Sequence, residues 1–254
     1  MTDTLTILTE TAQRFPDMNL SERLAKIRAL VSGRIVFTSS LGAEDQAITH
    51  AIFSQKLDIE VVTLDTGRLF EESYDLWAET EKRYGQKIKS YAPDTSELET
   101  LIGTQGVNGF FDSIEKRKHC CFVRKVVPLG RALEGASLWI TGIRADQSAG
   151  RGNLAFFDTD AGHDVLKANP MLDWSVEQLD AYIETNDIPV NTLHARGFPS
   201  IGCQPCTRAV KPGEDARAGR WWWENENGNA AQECGLHVGP DGRLVRTRKQ
   251  DIFA

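Results

Sequence analysis

The chain has 254 residues, 41% of them hydrophobic and 26% charged, which is enough for one well-filled soluble core. Its 29 basic and 36 acidic residues leave a net charge of −7, which argues against a broad nucleic-acid or anionic-membrane surface and leaves room for a local basic pocket. No basic segment followed by an apolar one opens the chain, and no apolar run reaches about 18 residues, so it reads as cytoplasmic, with reduced thiols and neither a membrane nor a nucleic-acid partner.

The N-terminal stretch, residues 1–33, reads as helices without assigned chemistry. Asn19-Leu20-Ser21-Glu22 supplies an N-cap with a Glu three residues later, and Leu20, Leu24, Ile27 and Val31 recur at helical spacing until Gly33. Arg34 to Thr38 is β-rich and leads into the small-residue loop Ser39-Ser40-Leu41-Gly42-Ala43, with a helix from about Glu44. Ile59 to Leu64 is a nearly continuous apolar run, suited to a strand covered on both faces. It ends in Asp65-Thr66-Gly67-Arg68, followed by a helix from about Glu71 to Arg83. Lys87 to Tyr91 and Leu138 to Gly142 read as further strands, and Ser175 to Gln178 as a capping box opening a helix to about Thr185. Strand, loop and helix in repetition predict a doubly wound α/β domain with a mostly parallel sheet, over residues 34–215. Residues 216–254, rich in Arg, Trp and Gly, read as an irregular tail.

Ligands of such sheets bind beyond the C-terminal ends of the strands. Three polar segments fall there: Ser39 to Gly42, Asp65 to Arg68, and Gly142 to Ser148, which contains Arg144. The first could cradle an anion on backbone N–H groups and the following helix N-terminus. Singly each is a plain turn as readily as a site; together they favour a nucleotide pocket.

The five cysteines fall as Cys120-Cys121, Cys203-Gln204-Pro205-Cys206 and a lone Cys234. Two close pairs make a full ligand set for one metal centre. A CxxC serves zinc, iron–sulfur or redox-disulfide chemistry equally well. Adjacent thiolates strain a single tetrahedral zinc but can each take a separate iron corner, so the pair favours a 4Fe–4S cluster over zinc. Lys116-Arg117-Lys118-His119 before the pair and Arg124-Lys125 after it would offset thiolate charge; the first run reads equally as a solvated basic face. Cys234, left over from the pairs, is a candidate nucleophile.

These residues match a known family. The Cys-Cys pair, SIGCQPCTR, GRWWWE and ECGLH, with SSLGAEDQ, LDTGRLFEE and GIRADQS, resemble the iron–sulfur adenylyl-sulfate (APS) reductases of sulfate assimilation, over about residues 34–238. The resemblance implies an adenine-nucleotide α-hydrolase-like fold, with the loop Ser39 to Asp45 at the nucleotide phosphate. It implies one 4Fe–4S cluster on Cys120, Cys121, Cys203 and Cys206, with Cys234 as nucleophile. Substrate contacts carried over are Ser39, Ser40, Gly42, Asp65, Thr66, Gly67, Arg68, Lys125 (between cluster and substrate), Arg144, Arg217, Arg220 and His237. The implied reaction reduces APS to sulfite and AMP through a Cys S-sulfo intermediate, serving cysteine biosynthesis. With four thiols committed to the cluster, no second thiol remains to resolve that intermediate. Thioredoxin or glutaredoxin is therefore the expected reductant, and the tail is expected to be mobile. The alternative is a 3′-phosphoadenylyl-sulfate (PAPS) reductase or one that takes both substrates. More distant alternatives are a tRNA-thiolating enzyme and a non-enzymatic metal protein. A homo-oligomer is compatible with the sequence.

Overall fold

Two helices open the chain, α1 (Thr2–Ala12) and α2 (Leu20–Leu30), in a computed structural model that describes residues 2–147, 154–226, 236–238 and 244–246. The cap of α2 is reciprocal: Glu22 N donates to Asn19 Oδ1 at 3.0 Å and Asn19 N to Glu22 Oε2 at 2.9 Å, which satisfies two otherwise orphaned donors. Both helices bury their apolar faces in the main core: Leu8, Leu20, Leu24 and Ile27 are fully buried beside Ile35 and Phe37. Arg23 fixes this packing from inside. Its guanidinium grips Asp173 at 2.5 and 2.9 Å, donates to Pro170 O at 2.8 Å and lies 5.4 Å from the Phe15 ring centroid.

The sheet then builds outward in both directions from its first strand. β1 (Ile35–Ser39) leads through α3 (Ala43–Ser54) to β2 (Glu60–Leu64), then through α4 (Glu71–Tyr84) to β3 (Lys89–Tyr91). After α5 (Thr95–Gln105), α6 (Ile114–Cys121) and α7 (Val127–Leu133), the chain returns on the opposite side of β1 as β4 (Leu138–Ile140). β5 (Phe157–Asp160) and β6 (Val165–Ala168) complete the order β3-β2-β1-β4-β6-β5, in which only β5 runs antiparallel to its neighbour. The sheet is covered on both faces: one belongs to the main core, and on the other Val36, Val62, Trp139 and Val165 pack with Leu129 and Leu133 of α7. This explains the unbroken apolar run of β2.

Helix α8 (Val176–Thr185) carries the expected capping box, with Gln178 N donating to Ser175 Oγ at 3.2 Å and Ser175 N to Gln178 Oε1 at 2.9 Å. The described part of the C-terminal stretch contains α9 (Trp222–Glu226) and an antiparallel pair, β7 (Leu236–Val238) and β8 (Leu244–Arg246). Among the described residues no helix is long and apolar enough to cross a membrane.

The helices α5 to α7 were not read from the sequence. Between α6 and α7 the backbone widens into a π-helical turn over Phe122–Val126. Pro128, in the first turn of α7, has no N–H and its ring would crowd the Arg124 carbonyl of a regular helix; a wider turn relieves that. The π turn follows directly on Cys120-Cys121 and contains Arg124 and Lys125.

Candidate active site

Strands β2 and β4 lie on opposite sides of β1, so the sheet reverses its winding between β1 and β4, the switch point at which such sheets form a crevice beyond the C-terminal ends of their strands. Ser39 pairs with Thr63 and Phe37 with Ile140, which brings the loops after β1, β2 and β4 out along one edge.

The loop after β1 turns on Leu41, a buried residue held in the left-handed region at φ 62°. Leu41 N donates to Ser39 Oγ at 3.1 Å, and Ser40 donates to Asp45 Oδ2 from both N and Oγ at 2.6 Å. Gly42 caps α3 with extended backbone and no side-chain bond, so the helix presents N–H groups at the crevice. Two acids stand in that first turn, and both are countered. Arg144, after β4, holds Glu44 Oε1 with Nε and Nη2 at 3.0 Å each and Asp146 with Nη1 at 3.1 Å. Burial pushes the Asp45 carboxyl up to about 6, against the lowering effect of its bonds from Ser40, with Glu44 adding to the rise.

The Asp45 shift gives a pH prediction. The proton on Asp45 contributes stability that is fully present below its unfolded value of 3.8 and is lost as pH rises through about 6. Asp45→Asn removes this dependence, so its stability relative to wild type rises between pH 4 and 6 by up to about 3 kcal/mol, measured by urea unfolding across that range. Gly142 gives a steric prediction: a Cβ there would stand 2.1 Å from Asp45 Oδ1 and 3.4 Å from Glu44 Cβ. Gly142→Ala therefore costs about 1–3 kcal/mol and displaces the Asp45 side chain, read as a lowered urea midpoint.

The loop after β2 is an Asx turn, with Gly67 N donating to Asp65 Oδ1 at 2.9 Å. Tyr74 donates to the same oxygen at 2.7 Å, and burial together with Asp65 pushes its hydroxyl up to about 12, so it stays a donor. Gly67 takes φ 67° with the Arg124 guanidinium 3.6 Å from where a Cβ would sit. This loop joins the C-terminal edge of the sheet to the cysteines. Thr66 Oγ1 lies 3.3 Å from Cys203 Sγ, Thr66 O accepts from Arg124 Nη1 at 2.6 Å, and Arg68 O accepts from Gln204 N at 2.8 Å.

Cys120, Cys203 and Cys206 gather in one cluster with Phe110, Trp221 and Trp223; Cys121 is buried on α6. None of these four is in a disulfide. Burial pushes the Cys120 thiol up, opposed by Arg124 and Arg68 and reinforced by Cys203. Among the described residues no three His, Cys, Asp or Glu side chains form a group that could hold a metal ion. Arg68 lies 5.1 Å over the Phe110 ring and bonds Asn108 Oδ1 at 3.3 Å and the Val107 carbonyl.

Arg220 is returned to this cluster by a hairpin-like turn in which Arg208 N donates to Gly219 O at 2.9 Å and Thr207 bridges Arg220. The Arg220 guanidinium lies on Gly202, where a Cβ would meet Nη2 at 2.2 Å, and donates to Ser200 Oγ and Ile201 O at 3.3 Å each.

The structure thus brings together Ser39, Ser40, Gly42 and Arg144 around the β1 loop. It places Asp65, Thr66, Gly67 and Arg68 beside the cysteines, with Arg220 near Cys203 and Cys206. Lys125 is half-buried on the π turn next to Arg124. Arg217 is half-buried on the turn before Arg220, with its N bonded to Asp215 Oδ1 at 2.8 Å. His237 lies on β7 opposite Val245, and Cys234 lies outside the described residues. No sequence motif announces the Arg117–Glu224 pair. Lys116 to His119 is not a uniform solvated face: Arg117 is fully buried and bonded to Glu224 at 2.5 and 3.0 Å, while Lys116 pairs with Asp112 at 2.6 Å. A periodicity check on α6 carries the signal, since Arg117 stands one turn before Cys121 on the same face.

The fold defines an open α/β protein whose topological switch point is joined, through the β2 loop, to a cluster of thiols. The chain belongs to the phosphoadenosine phosphosulfate reductase domain family, whose model matches residues 34–209. It is 52% identical over 221 residues to a protein named adenosine 5'-phosphosulfate reductase from Agrobacterium fabrum, covering 87% of this chain and 84% of that one. A protein of the same name from Allochromatium vinosum is 48% identical over 203 residues, covering 80% and 78%. Among solved structures, phosphoadenylyl-sulfate (PAPS) reductase from Candida auris superposes with a TM-score of 0.67 at 24% identity, covering 80% of this chain and 96% of that one. Candida glabrata FMN adenylyltransferase reaches a TM-score of 0.52 at 16% identity, covering 99% and 86%. These structural likenesses concern the fold alone.

Proposed function

We propose that the chain is a thioredoxin-dependent adenylyl-sulfate (APS) reductase that releases sulfite and AMP. The observation that carries the reading is the direct contact of the β2 loop with the CxxC loop, through Thr66 and Cys203 at 3.3 Å and Arg68 and Gln204 at 2.8 Å. Such a contact sets a nucleotide-binding edge against a thiol centre in one site. The names of relatives about half identical over most of the chain support the same substrate.

In this reading residues 34–215 hold the nucleotide and residues 216–254 bring the nucleophile. The N–H groups at the start of α3, with Ser39, Ser40 and Gly42, take the nucleotide phosphate; Arg144, occupied with Glu44, keeps that acid from repelling it. Asp65, Thr66, Gly67 and Arg68 wall the pocket towards the cysteines. Lys125, Arg217, Arg220 and His237 supply cationic or donor groups for the phosphosulfate.

Cys120, Cys121, Cys203 and Cys206 would hold one 4Fe–4S cluster. What supports this is the chemistry of the donor set: four thiols outside any disulfide, three of them packed with Phe110, Trp221 and Trp223, with Arg124 and Arg68 close enough to offset thiolate charge at Cys120 against the effect of its burial. Bound there, the cluster supplies a fixed electrostatic field beside the phosphosulfate.

Cys234 thiolate attacks the sulfuryl sulfur, and the bond to the phosphate oxygen breaks with its electron pair, releasing AMP and leaving S-sulfocysteine. A thioredoxin thiolate then attacks Cys234 Sγ and expels sulfite with the S–S bonding pair. The second thioredoxin thiol frees Cys234 thiolate and leaves thioredoxin as a disulfide. Sulfur gains two electrons and the dithiol loses two.

Initial rates on APS and PAPS, with reduced thioredoxin as the sole reductant, test the reading. AMP and sulfite are expected in equal amounts from APS, with kcat/KM for PAPS lower by about 10²-fold. Equal or faster turnover of PAPS would replace this reading with the PAPS or dual-substrate one.

A further inference from the structure

The residues that join the tail to the body carry two local costs in one place. Arg117 and Glu224 form a bidentate ion pair between α6 and α9, with side chains 0% and 5% exposed. Desolvating such a pair offsets most of its Coulomb attraction, so its presence is poorly explained by stability and better by the register it imposes. Trp221, three residues earlier, is 2% exposed and sits in the left-handed region at φ 44°, where a bulky side chain is strained.

The two costs are geometrically one feature. The Trp221 ring lies 4.6 Å from the Arg117 guanidinium and 4.9 Å from that of Arg220. Trp221 N donates to Cys206 O at 3.1 Å, and Glu224 N donates to Trp221 O at 2.8 Å. Three pieces of chain are thereby locked to one another: the helix that ends in Cys120-Cys121, the CxxC loop, and the start of the segment leading to Cys234. Glu224 precedes Cys234 by ten residues, a reach of at most about 35 Å.

We propose that the Arg117–Glu224 pair, stacked on Trp221, is a positioning latch that fixes the root of the Cys234-bearing segment on the cysteine-pair helix and so aims Cys234 at the substrate. The inference rests on the proposed function, in which Cys234 is the nucleophile. Arg117 and Glu224 are positioning residues; their effect passes through the tail root. Local packing does not require charge there, since Leu or Met could fill the same buried volume. What charge adds is one orientation of α9 on α6.

The test uses the full-length, cluster-loaded protein and the apolar double variant Arg117→Met/Glu224→Leu, with Glu224→Gln beside it. Replacing both charges leaves neither unpaired, so the double variant is expected to keep the iron chromophore and melt within a few degrees of wild type. The rate of Cys234 S-sulfo formation, read by rapid quench and intact mass after mixing with APS, is expected to fall at least tenfold. Affinity for AMP should stay within about twofold. Hydrogen exchange should quicken at 222–226 while β1 and α3 stay protected. A double variant with a wild-type adduct rate overturns the latch. So does any rate loss that only tracks lost folded, iron-loaded protein in both variants, because that assigns the pair to stability alone. A wild type that forms no adduct removes the underlying function instead, which keeps the two failures distinct.

Discussion

Cys234→Ser yields a folded, brown protein that makes no sulfite. The expectation follows from the separation of roles: Cys120, Cys121, Cys203 and Cys206 belong to the body of the chain, and Cys234 follows α9 in the C-terminal segment. A serine hydroxyl is a far poorer nucleophile than a thiolate near neutral pH and forms no bond that a dithiol can reduce. Turnover should fall by roughly 10⁴–10⁶-fold, while the visible spectrum, iron content and AMP affinity stay as in wild type. Sulfite assay and absorbance on the same sample check both halves. Bleaching by this substitution would mean that Cys234 is a ligand and the assignment of the pairs is wrong.

Cys203→Ser should fail in the opposite manner, losing colour and stability together with activity. Cys203 is 8% exposed, packs with Phe110, Cys206 and Trp221, and contacts Thr66 at 3.3 Å. It thus serves the CxxC loop and the β2 loop at once. Loss of a thiolate ligand removes metal-binding free energy that is also folding free energy. A cost of about 3 kcal/mol or more lowers Tm by roughly 6–12 °C. Iron analysis and thermal unfolding measure this directly. A colourless variant with unchanged Tm would disconnect the metal centre from the fold of the loops; an iron-loaded one would remove Cys203 from the ligand set.

The parts of this architecture that are local were legible in the sequence. Both capping boxes close as the Asn19/Glu22 and Ser175/Gln178 spacings require, because each involves groups three residues apart. The β1 and β2 strands and their polar ends follow from apolar runs stopped by Ser39-Ser40 and Asp65-Thr66-Gly67. The β5–β6 hairpin was missed because Lys167, a charged residue, is buried in the centre of β6 with its ammonium 4.7 Å from the Trp139 ring. A pattern of apolar alternation cannot anticipate that.

The site divides in the same way. The loop residues and the cysteines stand out as motifs by residue type alone, and the structure sets the β2 loop against the CxxC loop. The Arg117–Glu224 pair joins positions 107 apart in sequence, and Arg124 reaches Thr66 O across 58. Neither partner advertises the other locally. The raised carboxyl of Asp45 is hidden for a different reason: it comes from burial against Ser40 and Gly142, and exposure is a property of the folded chain. The aromatic run Trp221-Trp222-Trp223 serves packing in the structure, with Trp221 between two guanidiniums and Trp223 4.5 Å from the Phe111 centroid.

The central claim, that a tail cysteine takes the sulfuryl group before any reductant acts, is tested most directly by intact-mass analysis of the cluster-loaded protein mixed with APS alone. The account predicts one added sulfo group, mapped to Cys234 by peptide mass, released as sulfite on adding reduced thioredoxin and absent in Cys234→Ser. Sulfite appearing only with reductant present, with no adduct at any time before it is added, would contradict it.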